Sequence, residues 1–156
     1  MKTTIDCKPK YMYEQPMFMV TVSTVVIDEN GVLLVPDESF TQEIKYKFPG
    51  GQVKAGQESI QFAALRYVKE QLDIIIKKDS LIPVDFRSDP ERSETGNIVD
   101  IGFVSILEKG SEHNKGKWVE VDFENKKAQL DNISSFSMDN EVLLKRALEI
   151  ILMMRT

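Results

Sequence analysis

Residues 48–76 read FPGGQVKAGQESIQFAALRYVKEQLDIII, a Pro-Gly-Gly loop running into an amphipathic helix that begins at Glu58. Ile60, Ala63, Ala64, Tyr67, Val68 and Leu72 recur at helical spacing, which predicts one apolar stripe packed on a sheet. Positions 67, 70 and 71 are separated by three and four residues, so their side chains project together toward the loop before the helix. A carboxylate cluster at those positions would bind a hard cation. Only Glu70 supplies one; positions 67 and 71 are Tyr and Gln.

Working outward, residues 18–27 form a β-rich run, residues 29–31 a turn, and residues 32–35 the return strand of a hairpin. Residues 37–43 make a polar loop, and residues 44–48 lead into the Pro-Gly-Gly segment. After the helix, residues 73–76 are expected to leave as a strand, followed by strands over 81–86, 98–107 and 117–123. Residues 125–135 read as a connector. Ser137 or Asp139 caps a last helix whose Val142, Leu143, Ala147, Leu148, Ile151 and Met154 predict a broad apolar face. Pro9 and Pro16 argue against a regular element in residues 1–17, which read as an arm preceding a single domain over 18–156.

Composition bounds the function classes. The chain has 156 residues, 42% of them hydrophobic, enough for one sizeable core. A formal charge of −5 argues against nucleic acid as the main partner. No apolar run approaches a membrane span and residues 1–16 lack the apolar segment of a secretory signal. Cys7 is the single cysteine, which excludes an internal disulfide and fits a reducing, cytoplasmic setting.

The 48–76 stretch resembles a Nudix box, whose pattern is Gly, five residues, Glu, seven residues, then Arg-Glu-apolar-x-Glu-Glu-x-Gly-apolar. Gly51, Glu58, Arg66, Val68, Glu70 and Ile74 match it. Six residues rather than five separate Gly51 from Glu58, and Tyr67, Gln71 and Asp73 stand where the pattern has Glu, Glu and Gly. The resemblance implies an α/β/α sandwich, a mixed sheet flanked by helices, and a magnesium-dependent (alternatively manganese-dependent) pyrophosphohydrolase. It implies Glu70, Gln71 and Glu58 as the metal-side residues, with Arg66 and Glu58 bracing the loop against the helix. With one carboxylate on that face, metal would bind weakly until a phosphorylated ligand added its own oxygens. Tyr67, at the edge of the apolar stripe, reads as core filling ahead of any site role.

Residues 86–96, FRSDPERSETG, resemble the segment after the box in ADP-ribose pyrophosphatase-like Nudix proteins; Ser88, Pro90, Arg92 and Gly96 match, whereas Ser93 and Thr95 depart. Residues 136–140, FSMDN, resemble a Phe-Asp-His segment before the terminal helix of that branch. The implied ligand is a nucleoside diphosphate linked to another group, such as ADP-ribose, contacted by Gly50, Gly51, Arg87 and Arg92. Glu112, in the loop between Gly110 and Gly116, is the expected mobile general base; a solvated turn carboxylate is the alternative. Two other readings stay open. One is a nucleotide-binding sensor without catalysis. The other is a protein-interaction module using the apolar C-terminal helix, which would also serve a homodimer.

Overall fold

The computed structural model describes residues 17–131 and 134–155. Of the expected arm, residues 1–16 therefore lie outside the described residues. Strands β1 (Met19–Ile27) and β2 (Gly31–Pro36) form the expected hairpin, with Val26 opposite Leu33. Asp28 makes that turn: its carboxylate accepts the N–H groups of Asn30 and Gly31, both at 2.8 Å. Then come β3 (Ile44–Lys47), β4 (Gly50–Gln52), helix α1 (Ile60–Leu72), β5 (Ile82–Arg87), β6 (Ile98–Ile106), β7 (Lys117–Asp122), β8 (Lys127–Ala128), β9 (Ser134–Phe136) and helix α2 (Asn140–Met154).

The sheet is mixed. It runs β5-β6-β1-β2-β3-β9, with β4 antiparallel to β1 and β7 antiparallel to β2. β1 and β6 are parallel over their whole length, Met19 opposite Ile98 and Ile27 opposite Ile106. Strands buried on both faces read as nearly continuous apolar runs, and β1 and β2 do so because a helix covers each face. Val22, Val26, Leu33, Val35 and Phe103 pack with Ala63, Ala64, Val68 and Leu72 of α1. Their alternating neighbours Val25, Ile27, Val32, Leu34 and Val104 pack with Leu143, Leu144, Ala147, Leu148 and Ile151 of α2. The period-two alternation of a strand thus sends odd and even residues of β1 to different helices, giving the expected α/β/α sandwich.

Ser59 caps α1, its hydroxyl accepting the Phe62 N–H at 3.0 Å. Asp73 closes it in the left-handed conformation, φ 58°, with its N–H on the Lys69 carbonyl. A left-handed helix terminus favours Gly and tolerates Asp or Asn, which accounts for Asp at the position where the box pattern has Gly. Residues 73–76 are not the expected strand: after that reversal the chain runs without a ladder partner, and Ile75 is exposed. The expected connector over 125–135 contains β8 and the start of β9, which lies parallel to β3.

The buried face of α2 also differs from expectation. Leu144 is buried, whereas Val142 and Met154 are exposed. Leu148→Ala should therefore cost about 2–5 kcal/mol in urea unfolding, while Val142→Ala should stay within about 0.5 kcal/mol of the parent.

Candidate active site

On the face of β1 that meets α2, the alternation changes from apolar Val25 and Ile27 to polar Ser23 and Thr21. Across the parallel ladder from Thr21 sits Asp100 of β6, which is buried. Thr21 and Ser23 both donate hydroxyls to Asp100 Oδ1, and Arg87 of β5 forms an ion pair with Oδ2. Burial pushes the Asp100 carboxyl above its ordinary value, with the Arg87 charge and the two hydroxyls working against that rise.

Arg87 does not stop at Asp100. Its Nη1 lies 2.6 Å from Asp139 Oδ1, and Arg92 grips the same carboxylate with Nε at 2.9 Å and Nη2 at 2.8 Å. Burial works against the Asp139 charge, yet the Arg92 hydrogen bonds and the Arg87 charge keep its pKa below the usual carboxylate range. Asp139 occupies the N-cap of α2 without bonding the helix N–H groups through its side chain. Its two arginine partners outcompete the cap, since hydrogen bonds between ionised groups are about twice as strong as neutral ones. Asp85, 3.4 Å from Arg87 Nε, completes the group and reaches Arg146 on α2. Arg87 Nε and Arg92 Nη1 are buried without a hydrogen-bond partner.

This cluster floors a cavity of about 140 Å³ whose walls include Gly50, Gly51, Lys47, Asp37, Ser137 and Asn140. Gly50 lies at the wall because β4 runs against β1 with Gly50 opposite Ser23. A Cβ on Gly50 would meet the Val22 carbonyl oxygen at 1.9 Å, so no other residue fits this backbone. Asn140 ties the loop to α2, its Oδ1 accepting the Phe48 N–H and its Nδ2 donating to Ser137.

The helix residues expected to serve metal are engaged with protein. Gln71 Oε1 accepts the Gly50 N–H at 3.0 Å, and its Nε2 donates to the Gly50 carbonyl at 3.1 Å. Glu58 is bonded by Arg66 at 2.8 and 2.7 Å and by the Lys54 N–H at 2.9 Å. Those bonds, the Arg66 ones foremost, lower its pKa to about 2. Arg66 also stacks 4.2 Å from the Tyr67 ring centre, and the Tyr67 hydroxyl donates to the Gln52 carbonyl at 2.7 Å. Glu70 is half-exposed, 3.4 Å from Arg66.

Among the described residues no three His, Cys, Asp or Glu side chains come together in a way that could hold a metal ion. The donor set of the box helix, one half-exposed carboxylate beside an amide already bonded at both ends, does not fit a resident divalent cation. Of the expected site residues, Gly50, Gly51, Arg87 and Arg92 line the cavity together. Glu58, Arg66, Glu70 and Gln71 stand behind it on the loop and helix. Glu112 lines a separate, larger hollow of about 610 Å³ with Lys69, Asp73, Ile74 and Leu107. That hollow lacks both Gly50 and the arginines. Sequence reasoning missed Asp100, Thr21, Ser23 and Lys47; the available signal was a set of polar residues interrupting strands otherwise buried on both faces.

The chain belongs to the Nudix family: a family profile described as NUDIX domain matches residues 17–140. Divalent metals are in general use in that family. The fold is similar to that of a MutT/nudix family protein from Enterococcus faecalis, at 16% identity and TM-score 0.70, covering 96% of this chain and 70% of that one. It is also similar to the NUDIX domain of Shewanella oneidensis NrtR complexed with ADP ribose, at 16% identity and TM-score 0.68, covering 92% and 98%. A third similar structure is a bifunctional NMN adenylyltransferase/ADP ribose pyrophosphatase from Francisella tularensis complexed with AMP and a manganese ion. Identity is 19% and TM-score 0.66; 96% of this chain is covered but only 45% of that protein, so this chain spans less than half of its length. No curated protein matches the sequence.

Two outcomes follow from these electrostatics. Arg87→Ala strands Asp100 in the interior without its ion-pair partner and should cost about 3–5 kcal/mol in chemical unfolding. Arg146→Ala, at a half-exposed position, should cost no more than about 1 kcal/mol. The Glu58 carboxyl is depressed from 4.5 to about 2. Its contribution to stability is therefore complete above pH 4.5 and disappears as pH falls toward 2. Glu58→Gln should remove that part of the acid dependence in melts recorded across this window, and an unchanged profile would contradict the assignment.

Proposed function

We propose that this Nudix domain takes a nucleoside diphosphate linked to another group, with ADP-ribose the leading example, and acts on it as a pyrophosphohydrolase of low turnover. The cavity between the Gly50–Gly51 loop and the Asp100–Arg92 cluster supports the binding half of this reading. In it the Gly50–Gly51 backbone forms part of the wall, while Arg92 keeps one buried N–H group without a protein acceptor.

The single observation that carries low turnover is the Gln71 amide bonded to both ends of the Gly50 peptide. Glu70 is then the one helix carboxylate left to act toward a diphosphate. Any magnesium or manganese would arrive with the ligand, because the chain's own donors do not assemble a site for it. Arg66 and Glu58 are positioning residues in this reading: they fix the loop on the helix and touch no substrate. Arg87 likewise holds Asp100 and Asp139 in place, and Glu112 has no role at this cavity. Each tenfold loss of rate corresponds to about 1.4 kcal/mol of transition-state stabilisation, so two missing carboxylates are compatible with slow cleavage of a bond that breaks extremely slowly on its own.

Binding without cleavage, as in a nucleotide sensor, is the second reading, and the same Gln71 lock favours it. Thermal melts with ADP-ribose and with nucleoside triphosphates, with and without magnesium, combined with product analysis of the same samples, separate the two. The expected result is a raised Tm with ADP-ribose, trace product, and more product from the Tyr67→Glu/Gln71→Glu double variant. A rate ordinary for efficient hydrolases in the parent chain, or no ligand-induced shift at all, would count against the proposal.

A further inference from the structure

Three cations line the cavity, and they are not equivalent. Arg87 and Arg92 are held in ion pairs with Asp100 and Asp139. Lys47, the last residue of β3, has no carboxylate within ion-pair distance among the described residues. Its Nζ donates to the Gly50 carbonyl at 3.2 Å. That same carbonyl accepts Gln71 Nε2, so both of its lone pairs are taken by N–H donors. One is neutral and the other carries a full charge.

Resting on the nucleotide reading above, we infer that the Lys47 ammonium, seated on the Gly50 carbonyl, is the diphosphate-binding cation of this cavity, and that the protein binds its ligand's phosphates without a divalent metal. An ammonium has three donors; one is spent on Gly50, leaving two for phosphate oxygens. Burial makes the unpaired charge costly and lowers the lysine pKa, with Asp37, Asp100 and Glu38 at longer range offsetting part of that cost. An anionic ligand would remove the cost by pairing with the charge, which a metal cation in the same place would aggravate. Asp37 lines the same space beyond ion-pair distance of Lys47, its Oδ1 accepting the Ser39 N–H at 3.1 Å.

Calorimetric titration of the full chain with ADP in EDTA tests this, with adenosine as the phosphate-free control. The parent should bind ADP equally well in EDTA and in magnesium. Lys47→Met should weaken ADP about 10-fold or more, the usual scale for loss of a charged hydrogen bond, and leave adenosine unchanged. Lys45→Met, which removes a lysine on the same strand already paired with Glu43, should leave both unchanged. If Lys47→Met loses its cooperative melt, Lys47→Gln keeps a donor for the Gly50 carbonyl and removes only the charge; the same loss is expected. Undiminished ADP binding by a folded Lys47 variant, or parent binding that appears only with magnesium, overturns the inference. Failure of the parent to bind ADP or ADP-ribose under either condition would overturn the nucleotide reading itself, a different result from normal binding without Lys47.

Discussion

The Gly50 peptide is the point on which the rest of the structure turns. Its Cα lies against the Val22 carbonyl so tightly that no side chain fits, which fixes β4 on β1. Its N–H and carbonyl are both held by the side chain of Gln71, which fixes the loop on α1. A side-chain amide can accept from one end of a peptide and donate to the other. An ionised Glu at position 71 could still accept the N–H, but its second oxygen would face the Gly50 carbonyl, and a proton or cation would have to lie between them. The Gln therefore holds the Gly50 peptide with no proton or cation between them.

The interior charges follow from the same geometry. With β4 paired to β1 in the sheet and α1 on one face, the other face opens beside the start of α2. There the strands present Thr21, Ser23 and Asp100 in place of aliphatic residues. Buried ions are stable only when paired and hydrogen-bonded, and the three carboxylates Asp85, Asp100 and Asp139 are matched by Arg87, Arg92 and Arg146. Lys47 stands outside that balance. Asp37, lining the same cavity, offsets part of its charge from beyond ion-pair distance.

Much of this was legible in the sequence, for identifiable reasons. The α1 stripe and the β1–β2 hairpin follow from spacing, because local geometry decides which side chains meet, and the Glu58–Arg66 brace follows from the resemblance to the Nudix box. On α2, Val142 satisfies helical periodicity as well as Leu144 does, and only tertiary packing chooses Leu144 for the buried face. Residues 73–76 were read as a strand because three isoleucines suit one, but a left-handed Asp73 sends them away from any partner. The Asp100 cluster was invisible because its members come from β1, β5, β6 and the start of α2, joined only by sheet register. Gln71 was visible as a substitution, whereas its hold on both ends of one peptide required coordinates.

The most direct test is a crystal structure of the chain grown with ADP-ribose and manganese, with anomalous diffraction recorded to locate the metal. The account predicts a diphosphate beside Lys47, Gln71 still bonded to Gly50 through both amide atoms, and no anomalous peak on the Gly50 carbonyl. A manganese ion on that carbonyl, with the Gln71 side chain displaced, would contradict it.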